Sequence, residues 1–252
     1  MQDAWIVPDF PAPANVRAMV TTRYGPGLSP PPYARFNLGL RVGDEEQTVR
    51  ANRQSLVQAL DMPAEPRWLR QVHSTSVAEL GPLSGQVEPC ADAAVSRVPG
   101  TVLAILTADC LPLLLCGDDG GEIAAAHAGW RGLAAGIIEA TVQAMASPPD
   151  RVLAWLGPCI GAPSYEVGDE VRAAFVDADG GAHAAFTATR PSHWQCDLAR
   201  LARRRLAATG VSRIHGGGFD TYTDPRLYSY RRDGKRSGRF ASLIWTHGER
   251  GT

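Results

Sequence analysis

The pattern of hydrophobic and polar positions predicts a chain of buried strands separated by amphipathic helices. Short apolar runs bounded by turn residues are typical of strands that are buried in a sheet. The clearest runs are residues 15–22, 101–109, 111–116, 122–129, 152–160 and 239–246. Residues 68–80 alternate between apolar and polar positions, which predicts a further strand.

Helical spacing of apolar residues appears in four other stretches. They are residues 43–62, 130–146, 164–178 and 195–210. Acidic residues begin the first stretch, as the helix dipole favours, and Gly210 is suited to end the last one. No linker or internal repeat interrupts the series. The pattern therefore predicts an α/β (α+β) fold over residues 1–252, with a mixed sheet flanked by helices in one layered domain.

Composition narrows the class of protein further. The chain of 252 residues is 44% hydrophobic and 20% charged, and its formal net charge of −1 argues against a nucleic-acid partner. Its apolar runs are far shorter than the roughly 18 residues of a membrane span, so we expect no membrane partner. The five cysteines are scattered and odd in number, which predicts a reduced, cytoplasmic protein without a disulfide framework.

The turn sequence GDDGG, residues 117–121, joins two of the predicted strands as a hairpin. A four-residue loop at 117–120 places Cys110 directly opposite His127. A five-residue loop places Cys110 opposite Ala128 instead, and His127 then points to the other face. Directly opposed Cβ atoms lie about 4.5–5.5 Å apart, close enough for a thiolate and an imidazole to bind one ion.

Cys110 and His127 both lie at strand ends, where α/β sheets carry their functional sites. The residues alone leave three interpretations open. Cys110 can be a packed core cysteine, a nucleophile with a histidine as its base, or a metal ligand.

Several long motifs, in the same order, resemble the YfiH/LACC1 family, also called the laccase-domain or multicopper polyphenol oxidase family. The motifs are QVHSTSV, TADCLPLLL, AAAHAGWRGLAAGII, GPCIGAPSYEVGDEV and DPRLYSYRRDGKRSGRFASLIW. The resemblance covers nearly the whole chain and implies one CNF1/YfiH-like domain over residues 1–252. It also implies that His73, Cys110 and His127 bind one zinc ion, with copper as an alternative metal in vitro.

The family resemblance implies an enzyme of purine nucleosides. The expected reactions are phosphorolysis of adenosine, guanosine, inosine and methylthioadenosine, and deamination of adenosine. The expected partners are therefore a purine nucleoside and phosphate. Three protein ligands leave zinc a fourth position, as in catalytic sites. Asp109, next to Cys110 in the sequence, is the candidate general base; alternatively, it caps the strand end or hydrogen-bonds a ligand histidine.

Phosphorolysis also needs groups that bind phosphate. Arg131 and Gly132 follow His127 at a predicted helix start, and Arg23 resembles a motif position of the family. Arg231, Arg232 and Arg239 are further candidates near the C-terminus.

Other functions remain open at this point. Peptidoglycan-precursor editing by amide hydrolysis is associated with some members, and Cys110 could serve it as a nucleophile. A third hypothesis is that the zinc ion has a purely structural role. Copper-dependent polyphenol oxidation is disfavoured because six histidines are few for several copper centres.

Overall fold

Two β-sheets that pack face to face form the centre of the structure. The computed structural model describes residues 2–81 and 87–247. The strands are β1 Trp5–Ile6, β2 Val16–Thr21, β3 Val77–Glu79, β4 Ala93–Ser96, β5 Val102–Thr107, β6 Leu111–Gly117, β7 Ile123–Ala128, β8 Val152–Leu156, β9 Glu166–Gly168, β10 Phe186–Arg190, β11 His193–Cys196, β12 Arg213–Gly216 and β13 Phe240–Thr246. The α-helices are α1 Glu46–Ala59, α2 Trp130–Ala135, α3 Ile137–Ala144, α4 Asp169–Val176, α5 Leu198–Ala208 and α6 Tyr230–Asp233.

The strands of the described residues form three sheets. One has the order β1-β2-β13-β5, the second has the order β12-β8-β6-β7-β4-β3, and a small third sheet has the order β10-β11-β9. The six-stranded sheet is mixed, because β12 and β3 each run parallel to a neighbour while the central pairs are antiparallel. The predicted fold class is confirmed, although the strands divide among three sheets where the sequence indicated one.

The alternation of side chains along each strand explains the layers. Leu103 and Ile105 of β5 pack with Leu114 of β6 and Ile123 of β7, in the apolar layer between the two large sheets. Even-numbered β5 residues face the other way, toward Leu56 of α1. The opposite face of the six-stranded sheet is covered by α2, α3, α4 and α5. The order of layers is therefore helix, sheet, sheet, helices, which buries both faces of both sheets.

Most of the predicted elements are present, and three differ. The stretch predicted as helical over residues 164–178 contains strand β9 at Glu166–Gly168, and its helix is Asp169–Val176. The helix predicted over residues 130–146 is divided at Gly136, whose φ of 101° ends α2 and begins α3. Of the strand predicted over residues 68–80, only Val77–Glu79 forms a strand. The backbone N–H groups of residues 72–74, which precede this strand, donate to the Asp92 side chain rather than to a neighbouring strand. Among residues 2–81 and 87–247, every helix is too short or too polar to cross a lipid bilayer.

The prediction of a single domain over residues 1–252 includes residues 1, 82–86 and 248–252, which lie outside the described part. It stays a prediction.

We expect the layer between the sheets to supply much of the stability. Leu114 lies in this layer and is fully buried, whereas Leu28 is 80% exposed. Leu114→Ala removes buried methyl groups and leaves a cavity, so it should lower the free energy of unfolding by about 2–5 kcal/mol. Leu28→Ala should change it by less than about 0.5 kcal/mol. Equal effects of the two variants in urea denaturation would contradict this layering.

Candidate metal centre

The hairpin of β6 and β7 sets the positions of Cys110 and His127. Cys116 pairs with Ile123 and Pro112 pairs with His127. The loop comprises residues 118–121, because the Gly117 N–H donates to the Glu122 carbonyl at 3.0 Å.

Both predicted registers are therefore wrong. Each of them started the loop at Gly117, whereas the observed four-residue loop starts at Asp118. When a four-residue loop moves by one residue along the chain, each residue pairs with a partner two positions further along the other strand. Because side chains alternate between the two faces of a sheet, each side chain stays on the face that the predicted four-residue loop gave it. Cys110 precedes β6 and lies diagonally from His127, not directly opposite. Both side chains still point toward the layer between the sheets.

His73, Cys110 and His127 form one compact group. One ligand atom of each residue lies within 4.8 Å of the ligand atoms of the other two. Among the described residues, this is the one group of three or more His, Cys, Asp or Glu side chains that could hold a metal ion. The Cys110 Sγ is 3.7 Å from His73 Nε2, and the two imidazole rings meet edge to face with centroids 4.7 Å apart. His127 is buried, Cys110 is half-buried and His73 is exposed. The group therefore has a closed inner side and an open outer side.

Asp92 holds the loop that carries His73. Its carboxylate accepts the backbone N–H groups of Val72, His73 and Ser74 at 3.1, 2.9 and 2.7 Å, and the Ser74 hydroxyl at 2.9 Å. Three successive N–H groups that converge on one carboxylate cannot join a strand ladder. His73 has a φ of 62°, in the left-handed region that a non-glycine residue seldom adopts. These bonds offset that local cost and explain why residues 72–74 form a loop.

The same carboxylate orients His127. Asp92 Oδ1 lies 2.8 Å from His127 Nδ1, and the Asp92 side chain is fully buried. Burial alone would raise the pKa of Asp92, but the hydrogen bonds from His127, Ser74 and Val72 outweigh it and hold that pKa well below its usual range. Because Nδ1 faces Asp92, the Nε2 atom of His127 is left for Cys110 and a metal. This is the arrangement by which a carboxylate fixes a metal-binding histidine.

The charges of the group favour a thiolate. Burial opposes ionisation of Cys110, but the positive charge of His127 and hydrogen bonds from both histidines lower the pKa of the thiol to about 6. Burial likewise opposes protonation of His127, but Cys110 and Asp92 raise its pKa to about 9. Burial raises the pKa values of the three buried cysteines, Cys116, Cys159 and Cys196. Cys110 is thus chemically distinct from the packed cysteines.

The donor set and the space around it fit a zinc ion. Two imidazoles and one thiolate are the protein ligands of a zinc site that keeps a fourth position open. Gly129 borders the group, and a Cβ there would lie 2.9 Å from both Cys110 Sγ and His73 Cδ2. Such a side chain would intrude on the ligands, so this position requires glycine.

The group opens into a cavity of about 610 Å³. This is a common size for a small-molecule site. The lining includes Trp130, Tyr165 and Tyr230, which supply aromatic surface. Its cationic residues are Arg41, Arg131, Arg231 and Arg239. A cavity with aromatic walls and several guanidinium groups suits a flat base together with an anion.

Asp109 lines the cavity beside Cys110, with a φ of 90°. Its two carboxylate oxygens accept hydrogen bonds from the Thr221 hydroxyl and the Arg231 backbone N–H, both at 2.6 Å. Its backbone carbonyl accepts the N–H of Ile160 at 3.0 Å. Asp109 thus ties together three segments of the cavity wall.

The structure does not bring every predicted residue to the cavity. Arg23, Gly132 and Arg232 are not among its lining residues. The Arg23 guanidinium donates to the Ala34 carbonyl and lies 5.0 Å from the centre of the Tyr228 ring. Gly132 lies inside α2, where a Cβ would be 3.2 Å from the Ser74 carbonyl. Arg232 donates to four backbone carbonyls, which is a structural role.

Asp92, Arg41 and the aromatic residues of the cavity wall were not among the residues predicted from the sequence. Asp92 lies directly before the apolar strand AAVS, and a carboxylate in such a setting is seldom buried without partners. That position was the available signal for Asp92. Arg41 follows an irregular loop and carries no such signal.

Comparison with known proteins places this arrangement in a family. The family model described as "Multi-copper polyphenol oxidoreductase laccase" matches residues 17–247. A Pseudomonas aeruginosa protein named purine nucleoside phosphorylase is 51% identical over 245 residues, covering 96% of this chain and 98% of the relative. Escherichia coli YfiH, also named purine nucleoside phosphorylase, is 49% identical over 243 residues, covering 95% of this chain and 98% of the relative.

Solved structures agree with these relatives. A Neisseria meningitidis protein of family DUF152 superposes with a TM-score of 0.92 at 43% identity, over 97% of this chain and all 100% of that chain. YlmD from Geobacillus stearothermophilus superposes with a TM-score of 0.86 at 28% identity, over 97% of both chains. The chain therefore belongs to the YfiH family of multi-copper polyphenol oxidoreductase (laccase-like) proteins.

Proposed function

We propose that this protein is a zinc-dependent purine nucleoside enzyme. It phosphorolyses adenosine, guanosine, inosine and methylthioadenosine, and it deaminates adenosine. The observation that carries the proposal is the His73–Cys110–His127 group, which opens into a cavity lined by aromatic rings and arginines. The names of the P. aeruginosa and E. coli relatives support the phosphorylase activity.

The metal would be held by His73, Cys110 and His127. Zinc bound there would supply a Lewis acid that polarises an oxygen or nitrogen atom of the substrate or of water. The protein's own contribution is to hold these three side chains at the wall of the cavity. Asp92 fixes the histidine ring of His127 and the loop of His73, so the ligands need no rearrangement when substrate enters.

Phosphorolysis forms a bond from a phosphate oxygen to C1′ of the ribose and breaks the bond from C1′ to the purine nitrogen. The purine takes the bonding electron pair and a proton, and the phosphate ends as an ester of the ribose. Arg131 is the phosphate ligand in this proposal, because its guanidinium lines the cavity and has no carboxylate partner in the described part of the chain. Its planar donors match phosphate oxygens in pairs.

Asp109 is the proposed proton-transfer group. Each of its carboxylate oxygens accepts one hydrogen bond, from Thr221 or from Arg231, and can accept another from a substrate or water. In deamination a water adds to C6 of adenosine, and ammonia leaves after receiving a proton. Asp109 and the residues before and after it line the cavity, which supports a role of its carboxylate in proton transfer to a bound substrate.

Copper oxidation chemistry has less support. A multicopper oxidase needs several copper centres built mainly from imidazoles. In the described residues one ligand group is present, and it has two histidines. Copper bound in vitro to the same three ligands would give at most a single copper site.

The first test of the proposal replaces a metal ligand. Cys110→Ala should lose most bound zinc and reduce phosphorolysis of inosine by at least about a hundredfold, because a ligand and its negative charge are removed. Cys90→Ala is the matched control, since Cys90 is an exposed cysteine outside the cavity. Zinc content by mass spectrometry and release of hypoxanthine give the readout.

Full activity in Cys110→Ala, or in chelator-treated enzyme, would refute the zinc proposal. Activity that survives chelation but not Cys110→Ala would instead indicate a cysteine nucleophile.

The second test removes the support of the ligands and leaves the ligands in place. Asp92→Asn should lower zinc affinity by about 10–100-fold, because the amide cannot serve both His127 and three N–H groups as the carboxylate does. Asp9→Asn, at an exposed aspartate, is the control. Competition with a chromophoric chelator measures the affinity, and circular dichroism checks that the variant is folded. An unchanged affinity in folded Asp92→Asn would show that Asp92 does not support the site.

The third test addresses phosphate. Arg131→Met should raise the KM for phosphate by about tenfold or more, because it removes a charge-assisted contact of about 1.5–3 kcal/mol. Deamination of adenosine uses no phosphate and should fall much less. Arg200→Met, on the exposed side of α5, is the control. Equal losses in the two reactions would argue against a phosphate-binding role of Arg131.

A further inference from the structure

A second cavity adjoins the metal-centre cavity and shares a wall with it. Its volume is about 400 Å³, and its lining comes mainly from the small third sheet and the start of α4. Trp130, Arg131, Tyr165 and Arg231 line both cavities. A molecule that fills the metal-centre cavity can therefore extend past these side chains. We call this second space the extension cavity.

The extension cavity has a cation on the shared wall. The Arg231 guanidinium lies 5.2 Å from the centre of the Tyr165 ring, and its Nη1 donates to the Glu166 carbonyl at 3.1 Å. Within residues 2–81 and 87–247, no carboxylate pairs with this guanidinium. The backbone bond and the ring hold it in place, and its other N–H groups remain available to a carboxylate.

An anion lies in the same cavity. Glu170 is in the first turn of α4, and its carboxylate folds against Gly168, where an added Cβ would collide with it. No ion pair reaches Glu170 from the described residues. The neighbouring Glu166 differs, because Arg190 pairs with it at 2.8 Å and satisfies its charge within the protein. Beside Arg131, which the proposed function assigns to phosphate, the extension cavity therefore offers a cation, Arg231, and an anion, Glu170, that form no ion pair within the described part of the chain.

We propose that the extension cavity binds the zwitterionic α-amino-acid group of a purine nucleoside that carries this group on its 5′ substituent. Arg231 binds the carboxylate and Glu170 binds the ammonium. The nucleoside part occupies the metal-centre cavity, so this inference rests on the proposed function and adds a substrate class to it. The Trp130 and Tyr165 rings at the shared wall pack against the connecting chain of the substituent.

The test compares two 5′-substituted adenosines. Methylthioadenosine has an uncharged substituent, and S-adenosyl-L-homocysteine ends in an α-amino acid. The measured quantity is the ratio of their kcat/KM values for adenine release at fixed phosphate, with the zinc-loaded protein. Glu170→Gln should lower the ratio of S-adenosyl-L-homocysteine to methylthioadenosine by about tenfold, because a charge-assisted contact to the ammonium is lost. Glu65→Gln, at a glutamate that lines neither cavity, should leave it as in the wild type.

A modified substrate isolates the contact itself. N-acetylation of S-adenosyl-L-homocysteine removes the ammonium, so the wild type should lose about tenfold in kcat/KM and Glu170→Gln should lose little more. A ratio that Glu170→Gln leaves unchanged, or an equal loss from acetylation in both proteins, overturns the proposal. Calorimetric titration of the same compounds gives the answer independently of turnover. Wild-type protein that turns over neither nucleoside yet binds S-adenosyl-L-homocysteine better than its acetylated form contradicts the proposed reaction and leaves the extension cavity supported.

Discussion

The buried carboxylate of Asp92 is the constraint on which the candidate metal centre depends. It accepts hydrogen bonds from three successive backbone N–H groups around His73 and from Nδ1 of His127. Two ligands that are 54 residues apart along the chain are thereby fixed by one side chain. A fully buried carboxylate is costly unless it is hydrogen-bonded, so the loop and the histidine stabilise Asp92 as much as it orients them. Loss of any one of these partners would weaken the other contacts.

The layered fold explains why the site lies where it does. Cys110 lies between the end of β5, in one large sheet, and the start of β6, in the other. His127 lies near the end of β7, the neighbour of β6, on the face that meets the first sheet. The chain thus passes from one sheet to the other at the metal centre. The edge between the sheets leaves room for a cavity, while the apolar layer behind it keeps His127 away from water. Arginines reach this edge from the loop before α1, from α2 and from the C-terminal segment.

The periodicity of the sequence predicted the central strands, α1, α4 and α5, because these elements bury a regular set of apolar side chains. It could not predict the division into separate sheets, since both β5 and β6 show the same continuous apolar pattern and nothing in the local sequence determines which strand each will pair with.

The hairpin register was missed because both GDDG and DDGG satisfy the turn. Residues 68–76 were predicted as a strand because their alternation is real, but Asp92 binds the N–H groups that a strand would have used. The three ligands followed from the family resemblance. Arg23 did not reach the cavity, whereas Arg41 did, because loop geometry rather than sequence spacing decides which arginine faces the site.

In the proposed site, one zinc ion is bound by one thiolate and two imidazoles, which Asp92 holds in place. X-ray absorption at the zinc edge of the zinc-loaded protein tests it most directly. We expect one sulfur neighbour at about 2.3 Å and two imidazole nitrogens at about 2.0–2.1 Å, with one further oxygen or nitrogen neighbour. A shell made only of nitrogen and oxygen, or one with two or more sulfur atoms, would contradict it.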